Sequence, residues 1–301
     1  MGDRPDTGAK IELNAVIVAV AGNEPQVLVN QPAMLPSGPF ETGHNTLEQG
    51  LRAWVEAKTG QPIGYVEQLY TFADRGRIKD ASRLVSIGYL ALVRAAASLP
   101  DAVWSPWYRH FPWEDYRKGP PSVIAGVILP ALNKWKTSAS STAMKQSRVQ
   151  RVEVAFPKNP KSWDEELVLQ RYELLWEAGL VAEARGKKEN DAALGMPMAH
   201  DHRRILATAI ARLRAKIKYR PVVFELMSDA FTLLQLQNTV EALAGLRLHK
   251  QNFRRLTEGQ GLVEETGAAT RAAAGRPAKL FAFRREVLRA RAAAGTKLPR
   301  S

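Results

Sequence analysis

Not one of the 301 residues is a cysteine. That excludes disulfides and thiolate metal sites and fits a reducing compartment, the cytoplasm. Long apolar runs are missing too. The stretch Ala15 to Ala21 has seven residues, where a helix needs roughly 20 to cross a bilayer. The N-terminal MGDRPDTGAK carries acids and no apolar core, so it does not read as a signal peptide. Acidic residues are scarce beside basic ones: 30 Asp+Glu stand against 43 Lys+Arg, a formal charge of +13. Such an excess favours polyanionic partners, nucleic acid or phosphates. It is concentrated at one end, because Arg220 to Ser301 holds 14 basic and 7 acidic residues, leaving +7.

The chain is long enough for two domains, each with its own core. Ile11–Val20 reads as a buried strand, and Gly22-Asn23 turns it into a second short strand at Gln26–Asn30. Thr46 is a natural N-cap for a helix with Leu47, Leu51, Trp54 and Val55 at helical spacing, and Gly60 is its stop. Gly64–Phe72 and Arg83–Val93 read as further strands. An aromatic, proline-punctuated cluster follows from Trp104 to Tyr116, then a helical stretch Val123–Trp135 interrupted at Pro130. Lys136 to Ser162 is Ser-, Lys- and Thr-rich and reads as an exposed or partly disordered insertion. Asp164–Ala184 has the pattern of one amphipathic helix with Asp164 as a candidate cap. His202–Lys218 reads as another, capped by Asp201, with apolar residues on one side and Arg203, Arg204, Arg212, Arg214 and Lys216 around the rest. The histidines His200 and His202 fit packing better than metal binding, since i and i+2 residues at a helix start diverge.

The C-terminal segment from Glu225 to Phe283 has the pattern of a winged helix-turn-helix. Thr232 and Gln235 form a capping box for a helix Leu233–Ala244, closed by Gly245. Leu248–Glu258 is then the recognition helix, with Leu248, Phe253 and Leu256 facing inward. Its other side carries Lys250, Gln251, Asn252, Arg254 and Arg255, residue types that reach phosphates and base edges. Leu262–Glu265 and Ala278–Phe283 are the strands of a wing that brings Arg276 and Lys279 beside it. A solvated basic helix alone would look similar; the hairpin and the local charge together favour DNA.

The stretches FTLLQLQNTVEALAGLRLHKQNFRRL, GLVEETG and GRPAKLFAF, and DHRRILATAIARLRAKIKYRPVVFEL before them, resemble the Nudix-related transcriptional regulators of NAD metabolism. LPSGPFETGHNTLEQGLRAWVEAKTG, residues 35–60, resembles the Nudix signature, whose helix carries glutamates that hold Mg²⁺ on a nucleoside diphosphate. Here the frame is kept and the carboxylates are mostly gone. Counting back from Gly60, the signature's Arg-Glu falls on Ala53-Trp54 and its Glu-Glu on Ala57-Lys58. A shift of one residue recovers Arg52 and Glu56 but leaves Ala53 and Ala57 where acids belong, and Glu41, Glu48 and Glu56 do not share one helical face. A lysine ammonium at a ligand position repels the metal, and hydrolysis then loses its main charge stabilisation.

The resemblance therefore implies an α+β chain. A Nudix-like α/β/α sandwich with a mixed sheet spans 1–220, with an insertion at about 136–195, and a winged helix-turn-helix domain spans 221–301. It implies a homodimeric, cytoplasmic repressor of NAD biosynthesis or salvage genes on a palindromic double-stranded operator, with Tyr219–Glu225 as the joint between its domains. The sensor domain would be non-catalytic, without metal or cofactor, and would bind ADP-ribose or a related NAD metabolite. Candidate ligand residues are Arg75, Arg77, Arg83, Tyr89, Glu56 and Trp107, with Tyr108 or Trp113 as further ring partners. Candidate DNA residues are Lys250, Gln251, Asn252, Arg254, Arg255, Arg276 and Lys279. The rival expectation is an active Nudix pyrophosphatase acting on ADP-ribose-like nucleoside diphosphates.

Overall fold

The computed structural model describes residues 10–30, 33–41, 43–59, 64–73, 84–94, 102–185, 192–270, 277–284 and 286. A sheet forms the first half. Strands β1 (Lys10–Ala21) and β2 (Glu24–Asn30) make a hairpin whose turn, Gly22-Asn23, has φ of 56° and 64°. Those positive angles match the right-handed twist of the flanking strands, and Gly and Asn tolerate them best. With β3 (Ser37–Pro39), β4 (Tyr65–Phe72), β5 (Leu84–Leu92) and β6 (Ala102–Pro106), the order is β4-β5-β1-β2-β6, and β3 pairs with β1. The β1–β5 pair is parallel and the others antiparallel, so the sheet is mixed.

Alternation along β1 sends side chains to both faces, and both faces are covered. Leu13, Ala15, Ile17 and Ala19 join Leu51 and Val55 of helix α1 (Leu47–Thr59) in one apolar layer. Val16 and Val18 join Ile205, Leu206, Ile210 and Leu213 on the opposite face. Thr46 does begin α1, its Oγ1 accepting from the Gln49 amide at 3.1 Å.

Between sheet and C-terminus lies a helical layer, and here four expectations are corrected. Pro130 does not interrupt its helix. A wide turn over Ile124–Ile128 runs directly into α2 (Leu129–Thr137); such an i→i+5 turn accommodates a ring that lacks an N–H and would crowd the carbonyl four residues back. The Lys136–Ser162 segment is not a loop but holds helix α3 (Thr142–Ala155), capped by the Ser141 side chain on the Met144 amide. It is anchored by buried Val152, Ala155 and Phe156. The next segment is not one helix: α4 (Val168–Glu177) stops at Gly179, φ 67°, before the short α5 (Ala182–Arg185). Asp164 does not cap α4 but turns back to accept from the Glu166 amide at 2.9 Å.

Helix α6 (His202–Ile217) covers one face of the sheet, and its basic residues are only partly solvated, with Arg212 exposed. Arg203 and Arg214 are buried. Asp201 makes no side-chain cap; its carboxylate pairs with Arg204 at 3.1 Å. Gly88 on β5 lets α6 lie close, since a Cβ there would come within 3.1 Å of Ile205 Cγ2.

The chain ends in α7 (Leu233–Ala244), α8 (Lys250–Gly259), β7 (Val263–Ala269) and β8 (Lys279–Phe283). The Thr232–Gln235 capping box is formed in both directions, and Gly245 closes α7 at φ 70°. The apolar core continues without a break from α6 into this unit through Val222, Phe224, Phe231, Leu243 and Phe281, with the Phe224 ring stacked on Phe283 at 4.1 Å. The Tyr219–Glu225 connection is thus largely packed. Only its first residues stand clear: Tyr219 is exposed, whereas Val222, Val223 and Phe224 are buried.

Candidate nucleic-acid interface and sensor site

The outer face of α8 carries a dense run of polar and basic side chains. Lys250, Gln251, Asn252, Arg254 and Arg255 are all exposed within the first two turns of the helix. Lys250 and Arg254 line a depression of about 270 Å³ together with Lys279 of β8 and the start of α7. The structure therefore brings recognition helix and wing side by side. The ion pairs on this face are exposed: Arg254 stands 3.8 Å from Glu258, and Lys279 meets Glu265 at 2.8 Å on an exposed strand. Exposed pairs of this kind contribute little, so both cations are free to exchange partners for phosphates. Arg276 lies outside the described residues. One inward assignment is corrected: Leu256 is 61% exposed, while Thr257 takes the buried position beside Phe253.

What fixes the angle of α8 was not visible in the sequence. Glu241, buried on α7, accepts from the Leu248 amide at 3.0 Å, from Gln237 Nε2 at 2.9 Å and from Arg247 at 3.2 Å. Gln237 also donates to the Leu248 carbonyl. One carboxylate thus holds the turn that leads into the recognition helix. A capping-box pattern reveals where α7 starts, but nothing in it marks a glutamate two turns later as buried.

The junction with the sheet domain is equally polar. Glu114, 1% exposed, accepts from Arg171 Nε and Nη2 at 2.6 and 2.8 Å and from Arg214 Nη1 at 2.7 Å. Arg214 further donates to the Leu243 carbonyl, and Tyr108 donates its hydroxyl to the Ala242 carbonyl at 2.6 Å. These groups close on the end of α7, where a Cβ at Gly245 would lie 2.4 Å from the Glu114 carbonyl oxygen and 2.9 Å from the Tyr108 hydroxyl. Burial pushes the Tyr108 hydroxyl above its usual range, partly opposed by the nearby Arg214, so it serves here as a neutral donor. His110 donates from Nδ1 to the Met196 carbonyl at 3.0 Å, which leaves Nε2 to accept from Ser105. Burial brings its pKa down to about 4. His202 is pushed to about 3 by burial and by His200, and its Nδ1 accepts from the Leu35 amide. Both histidines are therefore neutral packing groups at neutral pH.

At the Nudix-like box the carboxylates do not converge. Glu48 is paired along its own helix with Arg52 at 2.9 Å, and Glu56 is exposed. Trp54, at the place of the glutamate in the signature's Arg-Glu pair, lays its indole against Gly38, where a Cβ would come within 2.5 Å of Nε1. An indole in that place and a guanidinium on Glu48 do not fit a hard divalent cation, which needs several carboxylate oxygens. Tyr89 sits on β5 beneath α1, 3% exposed, with its hydroxyl 3.4 Å from Gln68 Oε1. Burial, then the nearby Glu48, raises its pKa. Trp107 is wholly enclosed in the core, edge-on to Tyr108 at 5.9 Å, and Trp113 is equally buried. Neither ring offers a face to a ligand, because each fills space between the sheet and the helical layer. Arg75, Arg77 and Arg83 lie outside the described residues.

Known proteins show the same two parts. Residues 223–283 match the family model of the NrtR DNA-binding winged helix domain. A curated relative, the ADPR responsive transcriptional repressor NtrR of Acinetobacter baylyi, is 41% identical over 93 residues. That match takes in 31% of this chain and only 37% of the relative's length. Shewanella oneidensis NrtR complexed with a 27mer DNA superposes at a TM-score of 0.56 with 22% identity, over 91% of this chain and 93% of that one. A MutT/nudix family protein from Enterococcus faecalis gives 0.54 and 15%, over 92% and 88%. In fold, then, this chain is a Nudix-like α/β/α domain followed by a C-terminal winged helix, and residues 223–283 match the NrtR DNA-binding winged helix domain in sequence.

Proposed function

We propose that the protein is a transcriptional repressor of NAD biosynthesis or salvage genes, acting as a homodimer on a palindromic operator. Its Nudix-like domain binds ADP-ribose or a related NAD metabolite and does not hydrolyse it. The observation that carries this reading is the face of α8, where five polar or basic side chains stand exposed beside Lys279 of the wing. The Acinetobacter relative, described as an ADPR responsive transcriptional repressor, supports the effector. Trp54 and the Glu48–Arg52 pair in the box support the loss of hydrolysis. Ligand residues remain Arg75, Arg77, Arg83, Tyr89 and Glu56, with Tyr89 on β5 and Glu56 on the exposed side of α1.

A ligand shifts an equilibrium only by its differential affinity for the two states. The Tyr108–Glu114–Arg214 cluster is the contact through which a change in the sheet domain reaches the end of α7. Operator binding measured against added ADP-ribose tests the reading. The expected result is weaker binding with no AMP released. Release of AMP in the presence of Mg²⁺, abolished by Glu56→Gln, would establish the pyrophosphatase instead.

A further inference from the structure

The winged helix is not the only basic surface. The α2–α3 segment, Leu129 to Ser162, carries seven Lys and Arg and a single acid, Glu153, a net +6 out of the chain's +13. Its charge is organised around a ring. Trp135 of α2 has the Arg148 guanidinium 4.2 Å above it and that of Arg151 at 6.0 Å. Arg148 also donates to the Trp135 carbonyl at 2.7 Å, which pins α3 to α2. Of the seven cations Arg151 is in an ion pair, with Glu177. Lys134, Lys145, Lys158 and Lys161 are exposed and make no ion pair among the described residues. These lysines are left without a protein counter-charge among the described residues, and a local excess of one sign raises the concentration of oppositely charged partners beside it.

The patch also lies beside the winged helix. Lys158 and Lys161 are bracketed by the buried rings of Phe156 and Trp163. Trp163 stacks on Tyr116 at 4.1 Å, and the Tyr116 amide donates to the Gly245 carbonyl at the α7–α8 turn.

We infer that the α2–α3 helices form a second DNA contact, binding backbone phosphates that flank the duplex read by α8. The inference rests on the DNA-binding reading and extends it to a surface the winged helix does not include. Lysine ammoniums are compact, strongly hydrated point charges suited to phosphate without sequence preference. The patch would therefore add affinity and salt dependence and leave sequence discrimination unchanged.

The experiment is a salt titration of binding to a 40-base-pair mixed-sequence duplex, followed by fluorescence anisotropy on the full chain. Three proteins are compared: the parent, the combined variant Lys134→Gln, Lys145→Gln, Lys158→Gln, Lys161→Gln, and Arg254→Ala. Each phosphate contact contributes about 0.9 to the slope of log K against log salt. The fourfold variant is expected to lose about 2–3 from that slope, and Arg254→Ala about 1. All four lysines are exposed, so the thermal midpoint should stay at the parent's value. A fourfold variant whose slope stays within half a unit of the parent's overturns the inference, and if Arg254→Ala still weakens binding, the DNA-binding reading survives it. A parent that shows no salt-dependent binding overturns both. Binding of the parent to vesicles of three parts phosphatidylcholine to one part phosphatidylglycerol, lost in the variant while its DNA slope is unchanged, assigns the patch to a membrane surface and overturns the inference as well.

Discussion

Replacing Glu114 by Gln keeps the shape of the side chain and removes its charge from between two buried guanidiniums. In the parent, three hydrogen bonds of 2.6, 2.8 and 2.7 Å reach this carboxylate from Arg171 and Arg214, all with side chains no more than 1% exposed. Leaving a buried charge unpaired costs about 3–5 kcal/mol. The variant belongs at the lower end, near 3 kcal/mol, because the amide oxygen still accepts from one arginine. At about 2–4 °C per kcal/mol for chains somewhat shorter than this one, the thermal midpoint should fall by roughly 6–12 °C. Arg214 is the costlier arginine to truncate. It also donates to the carbonyls of Leu243, Glu114 and Glu165, which would be left without it, whereas Arg171 donates beyond Glu114 to the Asp164 carbonyl. Calorimetry of Glu114→Gln, Arg171→Met and Arg214→Met should thus rank Arg214→Met as the least stable. A midpoint for Glu114→Gln within about 2 °C of the parent would refute the reasoning, since an ion cluster that can lose its central charge so cheaply is not desolvated.

Further outcomes follow from the same geometry. Glu241→Ala should lower stability by about 1–3 kcal/mol by leaving the Leu248 amide unpartnered and Gln237 with only the Leu248 carbonyl, and should weaken DNA binding even though Glu241 is buried. Urea unfolding and anisotropy on one preparation check both. Arg254→Ala or Arg255→Ala should weaken operator binding by about 1–3 kcal/mol if the side chain reads a base, with a smaller effect on mixed-sequence DNA; equal losses on both would make it a phosphate contact. For pH, His110 and His202 have folded pKa values of about 4 and about 3, below the ordinary value of 6.5. The unfolded chain therefore takes up protons first. Stability is full above 6.5 and falls as pH drops from there toward 4. Each histidine contributes a slope of up to about 1.4 kcal/mol per pH unit. Unfolding free energies between pH 6 and 5 should fall less steeply in His202→Gln than in the parent, and an unchanged slope would contradict the burial of a neutral ring.

The hairpin of β1 and β2 was legible because β1 is a run of β-branched and small apolar residues with few charges and Gly22-Asn23 suits a tight turn. The winged helix was legible because Thr232, Gln235 and Gly245 are local signals acting within a turn or two. Helix α3 was not, because its one strong mark, the Ser141 cap, sits in a Ser-rich run and few of its residues are buried. Arg203 and Arg214 looked like solvent-facing charges because their spacing on α6 is that of an ordinary basic side. Their partners come from elsewhere in the chain: Glu114 lies 100 residues from Arg214, and the His110 carbonyl 93 from Arg203. No periodicity carries that information. The aromatic cluster shows the same limit: its Pro-punctuated pattern has no period that says which rings fill the core, and Trp107 and Trp113 do.

The most direct test is operator affinity in paired titrations without and with saturating ADP-ribose, with AMP followed in the same tubes in the presence of Mg²⁺. The account expects specific binding that weakens by tenfold or more, a coupling of about 1.4 kcal/mol or above, while the ADP-ribose remains intact. Affinity that does not change with ADP-ribose, or steady release of AMP, would contradict it.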